Sequence, residues 1–101
     1  MGKSTIVVEG TFREGYEEVF DEYSVRVRAY LERHGGQVVR RQRILRTLYG
    51  TQTPSLIMII DFPSEEIAGR IFFEKDYLDI LPLRERVFSD FKMYLAAHGD
   101  I

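Results

Sequence analysis

The chain has 101 residues and contains no cysteine, no tryptophan, only three prolines and only two histidines. Without cysteine it has neither a disulfide nor a thiolate metal site, and a reducing compartment is tolerated. His34, at the predicted end of a helix, and His98, near the C-terminus, do not form a recognisable set of zinc ligands. We therefore predict no metal and no cofactor.

The sequence also lacks a long apolar run and a positive net charge. Its longest uninterrupted apolar run, Leu56 to Ile60, is far shorter than the ~18 residues of a membrane span. The first residues, MGKSTIVVEG, do not have the pattern of a signal peptide. Fourteen basic against sixteen acidic residues give a net charge of −2, whereas nucleic-acid binding draws on a basic surface. We expect a cytoplasmic protein with no membrane or nucleic-acid partner.

The residues that are present favour one packed core. Hydrophobic residues make up 45% of the chain, including seven Phe and six Tyr, and this length suits a single domain spanning residues 1–101. Alternation and turn residues predict strands at 5–12, 37–49, 55–62 and 88–96, with a turn at 50–54. Helical periodicity predicts a first helix at 14–34. A second helix is predicted to begin after Ser64, to break near 74–76 and to resume through 86.

This βαββαβ order is the ferredoxin-like arrangement, an α+β fold in which two helices cover one face of a four-stranded antiparallel sheet. In that topology the first and third strands are central. The second strand is rich in arginine, which suits an edge position because charge discourages stray strand pairing.

The third predicted strand is apolar on both faces. Ile57 and Ile59 point away from Leu56, Met58 and Ile60, so two helices on one face would leave an apolar patch in water. We predict that a second copy covers this open sheet face about a two-fold axis, as in a dimeric α/β barrel. The alternative is a monomer with a loop or tail over the sheet, for which no segment is free.

Several short motifs resemble a known family. These are Asp61-Phe62-Pro63-Ser64 after the third strand, then Ala68, Tyr77 and Arg84, together with His34-Gly35-Gly36 after the first helix. From about Ile6 to Tyr94 the chain resembles a small bacterial family, the domain of unknown function DUF1330, in the dimeric α/β-barrel superfamily.

Two stretches depart from the family pattern: Glu74-Lys75-Asp76 stands where Ser-Pro-Glu often precedes the Tyr, and Tyr94-Leu95 replaces a Glu-Gly pair. The resemblance implies the fold and a homodimer but no reaction. The superfamily includes cofactor-free monooxygenases, lactone isomerases, haem-degrading enzymes and ligand-sensing domains, and fold does not choose among them.

Tyr77 and Arg84 lie two helical turns apart, so they share one face of a helix whose second turn contains Pro82. Arg84 has two interpretations. It is an anion hook inside a cavity, or it forms an ion pair with Asp61, Asp79 or Glu85 while its stem lies on aromatic rings.

Three further residues are candidates for the site. His34 continues the apolar stripe of the first helix, so it is either a general base or haem ligand at a cavity mouth, or simply a helix cap. Tyr23 and Tyr49 would give an apolar pocket polar tips, as small-ligand sites require. The competing interpretation makes them core and interface residues. Arg43 would join the ligand site on the same strand face as Arg41, opposite to Arg40, Gln42 and Arg46.

The sequence therefore predicts a homodimer with one small apolar-walled pocket per subunit and leaves open whether it is an enzyme. As a cofactor-independent monooxygenase or isomerase of a small aromatic or lactone, it would use His34 or Tyr77 to move a proton and Arg84 to hold an oxyanion. Two non-enzymatic hypotheses are a small-ligand or haem-binding module and a purely structural interaction module. No nucleophile or phosphate-loop motif is present.

Overall fold

A computed structural model describes residues 2–99 of the chain. A 3-10 turn, Ile71–Phe73, follows the second helix, and the other elements are β1 (Ser4–Phe12), α1 (Glu17–Arg33), β2 (Gln37–Arg43), β3 (Leu56–Phe62), α2 (Glu65–Arg70), α3 (Lys75–Leu78), α4 (Leu81–Val87) and β4 (Phe88–Ala97). Among residues 2–99, no helix has the length and apolarity needed to span a bilayer.

The four strands form one antiparallel sheet in the order β2-β3-β1-β4. The predicted α+β, ferredoxin-like βαββαβ fold is confirmed, with the first and third strands central and the second and fourth at the edges. All helices lie on one face, and the molecule measures 39 × 34 × 18 Å. It is therefore a sheet with a single helical layer, and its second face is open.

Strict alternation along the strands separates the two faces of the sheet. On the helix side Ile6 lies between Ile60 and Leu95, and on the open side Val7 lies between Ile59 and Tyr94. Ile6 and Ile60 are buried, whereas Val7 and Ile59 are only partly buried. The expected apolar character of β3 on both faces is confirmed.

Helix α1 buries the predicted apolar stripe against the sheet. The buried members of the stripe are Val19, Tyr23, Tyr30 and Leu31, and the partly buried members are Phe20 and Val27. The helix begins three residues later than predicted because Gly15 has a φ of +82°, a left-handed conformation that a helix does not continue. At the other end Gly35 has a φ of +81°, and the helix ends where predicted.

The prediction for β2 was wrong in its second half. The strand ends at Arg43 rather than Tyr49, because its partner β3 begins at Leu56 and the register pairs Arg43 with Leu56. Beyond that pair the backbone has no neighbouring strand. The predicted turn at 50–54 is therefore part of a longer loop, residues 44–55, closed at its base by a 2.9 Å hydrogen bond from the Ile44 N–H to the Ser55 carbonyl.

The second helical region is more broken than predicted. Ser64 caps α2 as expected, because its Oγ accepts a hydrogen bond from the Ile67 N–H. After the expected break near Glu74, a second break separates α3 from α4, so Pro82 lies in the first turn of a new helix instead of the second. Proline is tolerated there because its missing N–H would have no partner within the helix. Pro82 is thus the second residue of α4, and Arg84 lies two residues further along the same helix.

Candidate functional site

A narrow apolar cleft lies between α1 and the helix-facing side of the sheet. Its lining residues come from α1 and all four strands: Val8, Phe20, Tyr23, Ser24, Val27, Arg28, Leu31, Val38, Arg41, Leu56, Met58, Phe88 and Phe91. The space in which the centre of a water molecule fits is about 40 Å³. The walls are apolar, and the polar members are Ser24, Arg28, Arg41 and the Tyr23 hydroxyl.

An aromatic group forms the β4 end of the cleft. The Phe88 ring lies 5.0 Å from that of Phe91 and meets the Tyr23 ring edge-on at 5.9 Å. Phe88 fits there because Gly10 has no side chain: a Cβ on Gly10 would lie 2.5 Å from the Phe88 ring. The glycine in β1 therefore makes room for the wall of the cleft.

Arg84 packs against the same aromatic wall. Its guanidinium carbon lies 4.6 Å from the centroid of the Phe91 ring, which also lines the cleft. Its Nη1 donates a 3.1 Å hydrogen bond to the Tyr77 hydroxyl. Its Nε is buried and has no hydrogen-bond partner among residues 2–99, although the side chain as a whole is partly exposed.

The alternative expectation for Arg84, an ion pair, is wrong for the part of the chain that the structure describes. None of the three carboxylates Asp61, Asp79 and Glu85 forms a salt bridge with Arg84. Asp79 pairs with Lys75, and Asp61 lies near His98. The expected packing of the arginine on aromatic rings is present. Arg84 is thus a partly buried cation held by rings and one phenol, without a carboxylate from residues 2–99.

Two buried phenols accompany this cation. Burial raises the pKa of Tyr23, the neighbouring Tyr77 raises it further, and Arg84 opposes the shift. Burial also raises the pKa of Tyr77, again against the lowering effect of Arg84. Both phenols therefore stay protonated at neutral pH and act as hydrogen-bond donors rather than as bases. Such a group of cation and donors suits an anion.

The structure separates His34 from this group. His34 is half-buried at the end of α1, where its ring lies 4.7 Å from that of Tyr30. Tyr30 in turn lies 5.6 Å from Tyr77 and donates a hydrogen bond to the Ile71 carbonyl. His34, Tyr77 and Arg84 are all absent from the lining of the cleft, but Arg84 lies against Phe91, which belongs to that lining. Within residues 2–99, no three His, Asp or Glu side chains are grouped as metal ligands.

Arg43 and Tyr49 also lie outside the cleft. Arg43 lies over the Phe12 ring, 5.7 Å from its centroid, in a neighbouring groove that shares Phe20, Arg41 and Leu56 with the cleft. Tyr49 is 99% exposed in the loop after β2. Of the six predicted site residues, the structure therefore brings together Tyr23, Tyr77 and Arg84.

Sequence reasoning missed Phe88, Phe91, Arg28 and Arg41 as parts of the site. The predicted alternation of β4 could have placed Phe91 on the helix side, where the register sets it opposite Gly10. The same alternation placed Arg41 and Arg43 on one face, and this is confirmed. Arg28 carried no signal, because it lies at the edge of the apolar stripe of α1.

Solved structures share this fold, although none of the curated proteins matches the chain. The RPA0582 protein of unknown function from Rhodopseudomonas palustris superimposes with a TM-score of 0.80 at 15% identity, over 99% of this chain and 85% of that one. SnoaB, a cofactor-independent oxygenase from Streptomyces nogalater, superimposes with a TM-score of 0.69 at 18% identity, over 100% of this chain and 97% of that one.

A dimeric protein of unknown function with a ferredoxin-like fold, from Bacteroides fragilis, gives a TM-score of 0.62 at 7% identity, over 96% of this chain and 97% of that one. At these identities the likeness concerns the fold alone. The sequence profile of one family matches residues 6–97, a range that includes Tyr23, Tyr77, Arg84, most of β1 and all of the other three strands. The chain belongs to that family, the domain of unknown function DUF1330.

Proposed function

We propose that this protein is a homodimeric small-ligand-binding protein whose cleft takes a flat, apolar anion, such as an aromatic carboxylate or phenolate. One observation carries the proposal: Arg84 lies against the aromatic wall with a buried, unpaired Nε and no carboxylate partner among residues 2–99. A partly buried guanidinium with an unpartnered Nε and no counter-ion is costly for the fold, so an anionic ligand would relieve that cost.

The chemistry around Arg84 selects an anion over a neutral molecule. A guanidinium binds a carboxylate or phenolate through parallel N–H donors, and the neutral phenols of Tyr23 and Tyr77 add O–H donors on the same side. Two more guanidinium groups, Arg28 and Arg41, line the cleft near its exposed edge. Positive charge therefore lies against the Phe91 ring of the wall and at the mouth, and it favours a negatively charged ligand.

The apolar walls select the rest of the ligand. Residues such as Val27, Leu56 and Phe91 offer aliphatic and aromatic surface with few polar groups. The empty space suits a few water molecules, so a ring-sized ligand requires the partly buried Phe20 or Met58 to rotate outward. A flat ring needs less of that movement than a bulky one.

Binding of 2-naphthoate and its neutral analogue 2-naphthamide, measured by calorimetry, tests the anion site. Arg84→Met should weaken naphthoate binding roughly tenfold to hundredfold, because a charge-assisted hydrogen bond contributes about 1.5–3 kcal/mol. Naphthamide binding should change little. Arg86→Met, at an exposed position of the same helix, is the matched control. Equal naphthoate affinity in the wild type and Arg84→Met would rule the site out.

The open sheet face supports the homodimer. Its central row consists of Ile59, Val7 and Tyr94, and the next row brings Ile57 beside the ion pair of Glu9 and Lys92. Tyr94 is half exposed. An apolar row with polar flanks is typical of a surface that a second sheet covers.

Sedimentation of the purified protein measures the dimer directly. We expect an association that Ile59→Asp weakens at least a hundredfold, because a carboxylate would be buried at the centre of the interface. Val25→Asp, on the exposed side of α1, should leave the association intact. A wild-type protein that sediments as an 11.9 kDa monomer at all concentrations would contradict the proposal.

The group of Tyr23, Tyr77 and Arg84 also favours a second candidate function, a cofactor-independent oxygenase. Two phenol donors and a cation would stabilise the enolate of an aromatic ketone. Dioxygen would then oxidise its CH₂ group to a second carbonyl, with the other oxygen atom leaving as water. Oxygen consumption by the protein in the presence of such a ketone would support the oxygenase function if the amount of oxygen consumed equals the amount of product formed and if Arg84→Met lowers the rate. If oxygen is consumed no faster with the protein than without it, ligand binding remains the proposed function.

A further inference from the structure

The loop between β2 and β3, residues 44–55, is ordered by its own hydrogen bonds. The base is closed by Ile44 and Ser55, and the Ser55 N–H also donates to the Gly10 carbonyl. Further out, the Thr47 hydroxyl bonds the Gln52 carbonyl at 2.7 Å and lies 2.7 Å from the Thr53 hydroxyl. We call this loop the arm. It has a defined shape rather than that of a random coil.

Three large apolar side chains of the arm point into solvent. Leu45 is 91% exposed, Leu48 84% and Tyr49 99%. None of them packs on the body of its own chain. Scattered apolar residues on a surface are ordinary, but three on one internally bonded loop form a contiguous surface that fits a protein partner.

The position of the arm indicates which partner covers it. Its two ends continue β2 and β3, and the last residues of these strands on the open sheet face are Gln42 and Ile57, which pair with each other. The arm therefore projects from the end of the sheet whose open face the proposed homodimer buries. A second copy on that face lies next to the arm.

Charge favours the same partner. Residues 37–55 carry four arginines and no acidic residue, and since the whole chain has net charge −2, the remainder carries six more acidic than basic residues. Three of these arginines lie in β2 and the fourth, Arg46, lies in the arm, so this edge of the sheet brings basic charge toward an acidic body when two copies associate. A nucleic acid or a basic protein would lack this match, since the acidic body would repel a nucleic acid and the arginines of residues 37–55 would repel a basic protein.

The size of the interface gives a third reason. A stable complex buries about 800 Å² on each partner. The apolar row of Ile59, Val7 and Tyr94 is narrow, and two of its members are already partly covered. A leucine or tyrosine buries roughly 150–200 Å², so the arm would supply much of the missing area.

We propose that the arm of each protomer packs onto a second copy of the chain, with Leu45, Leu48 and Tyr49 as its contacts. This inference rests on the proposed homodimer and adds to it: the dimer is held by the arms as well as by the sheet faces.

A triple variant, Leu45→Ser with Leu48→Ser and Tyr49→Ser, tests the proposal by sedimentation. The fold should persist, because these side chains have no packing to lose, while the dimer dissociation constant should rise at least tenfold. Thr51→Ser, at an exposed position of the same loop, is the control. A triple variant that dimerises like the wild type would overturn the arm contact and leave the sheet-face dimer standing. A monomeric wild type would overturn both.

Photo-crosslinking identifies what the arm touches. A benzoylphenylalanine at position 49, in an equal mixture of isotopically light and heavy protein, should give crosslinked peptides that combine light and heavy chains. Crosslinks confined to chains of one isotope would place the arm on its own body. Efficient capture of a different protein from added lysate, at the expense of the mixed crosslink, would likewise overturn the inference.

Discussion

Arg84 and Tyr77 join α4 to α3 through a single 3.1 Å hydrogen bond from the Arg84 Nη1 to the Tyr77 hydroxyl. It is the one hydrogen bond that the guanidinium makes with residues 2–99. The Tyr77 ring is buried, and its edge also meets the Phe72 ring at 5.1 Å. The phenol therefore fixes the position of the cation from the core side, while the Arg84 Nε makes no hydrogen bond with residues 2–99.

Tyr77→Phe should lower the free energy of unfolding by about 1–3 kcal/mol, because it removes the only hydrogen-bond partner that residues 2–99 give a partly buried cation. Urea unfolding at pH 7 measures this. The cost should shrink in the Arg84→Met background, since no cation is then left unpaired, and the difference gives the coupling energy of the pair. Equal costs in both backgrounds would show that the hydrogen bond contributes nothing.

Tyr30→Phe should also destabilise the protein, by about 1–3 kcal/mol, because the buried Ile71 carbonyl loses its hydrogen bond from the Tyr30 hydroxyl. The loss should appear as faster amide exchange in the 3-10 turn.

His34→Ala removes only a ring contact from the same tyrosine and should cost less than about 1 kcal/mol. Neither change should affect naphthoate binding, which would separate His34 from the ligand site.

Gly10→Ala should cost about 1–3 kcal/mol and alter the cleft, because the added methyl would meet the Phe88 ring at 2.5 Å. The aromatic ring would have to leave the position where it walls the cleft. Gly69→Ala is the matched control, since its added Cβ would lie 3.7 Å from Leu95, an ordinary contact, within helix α2. That change should stabilise the protein by up to about 1 kcal/mol. Unfolding in urea and naphthoate titration distinguish the two variants.

Local patterns were sufficient to predict the topology. The apolar run of β3, the alternation in β4, the apolar stripe of α1 and the glycines after it are properties of neighbouring residues, and each of these elements formed close to its predicted place. The end of β2 was not predictable in the same way. Arg46 and Leu48 suit a strand by composition, but a strand needs a partner, and the register with β3 leaves none beyond Arg43.

The candidate site was predictable only in part, for a related reason. Spacing placed Tyr77 and Arg84 on one side of a helical segment, and they do meet. Whether Arg84 meets a carboxylate depends on how α4 packs against β4, where Phe91 occupies the guanidinium face. His34 shares the stripe of α1, but its place on Tyr30 follows from the packing of the helix end, which periodicity does not describe.

Alkaline pH offers the last test, through Tyr23. Burial raises the pKa of this phenol well above its ordinary value of 10.0, so the folded state holds the proton more tightly than the unfolded state does. The resulting stability is fully present below pH 10 and is lost as the pH rises beyond it, by roughly 1.4 kcal/mol at pH 11. Unfolding free energies at pH 8 and pH 11 should therefore differ less in Tyr23→Phe than in the wild type. An unchanged difference in Tyr23→Phe would contradict the burial of its hydroxyl.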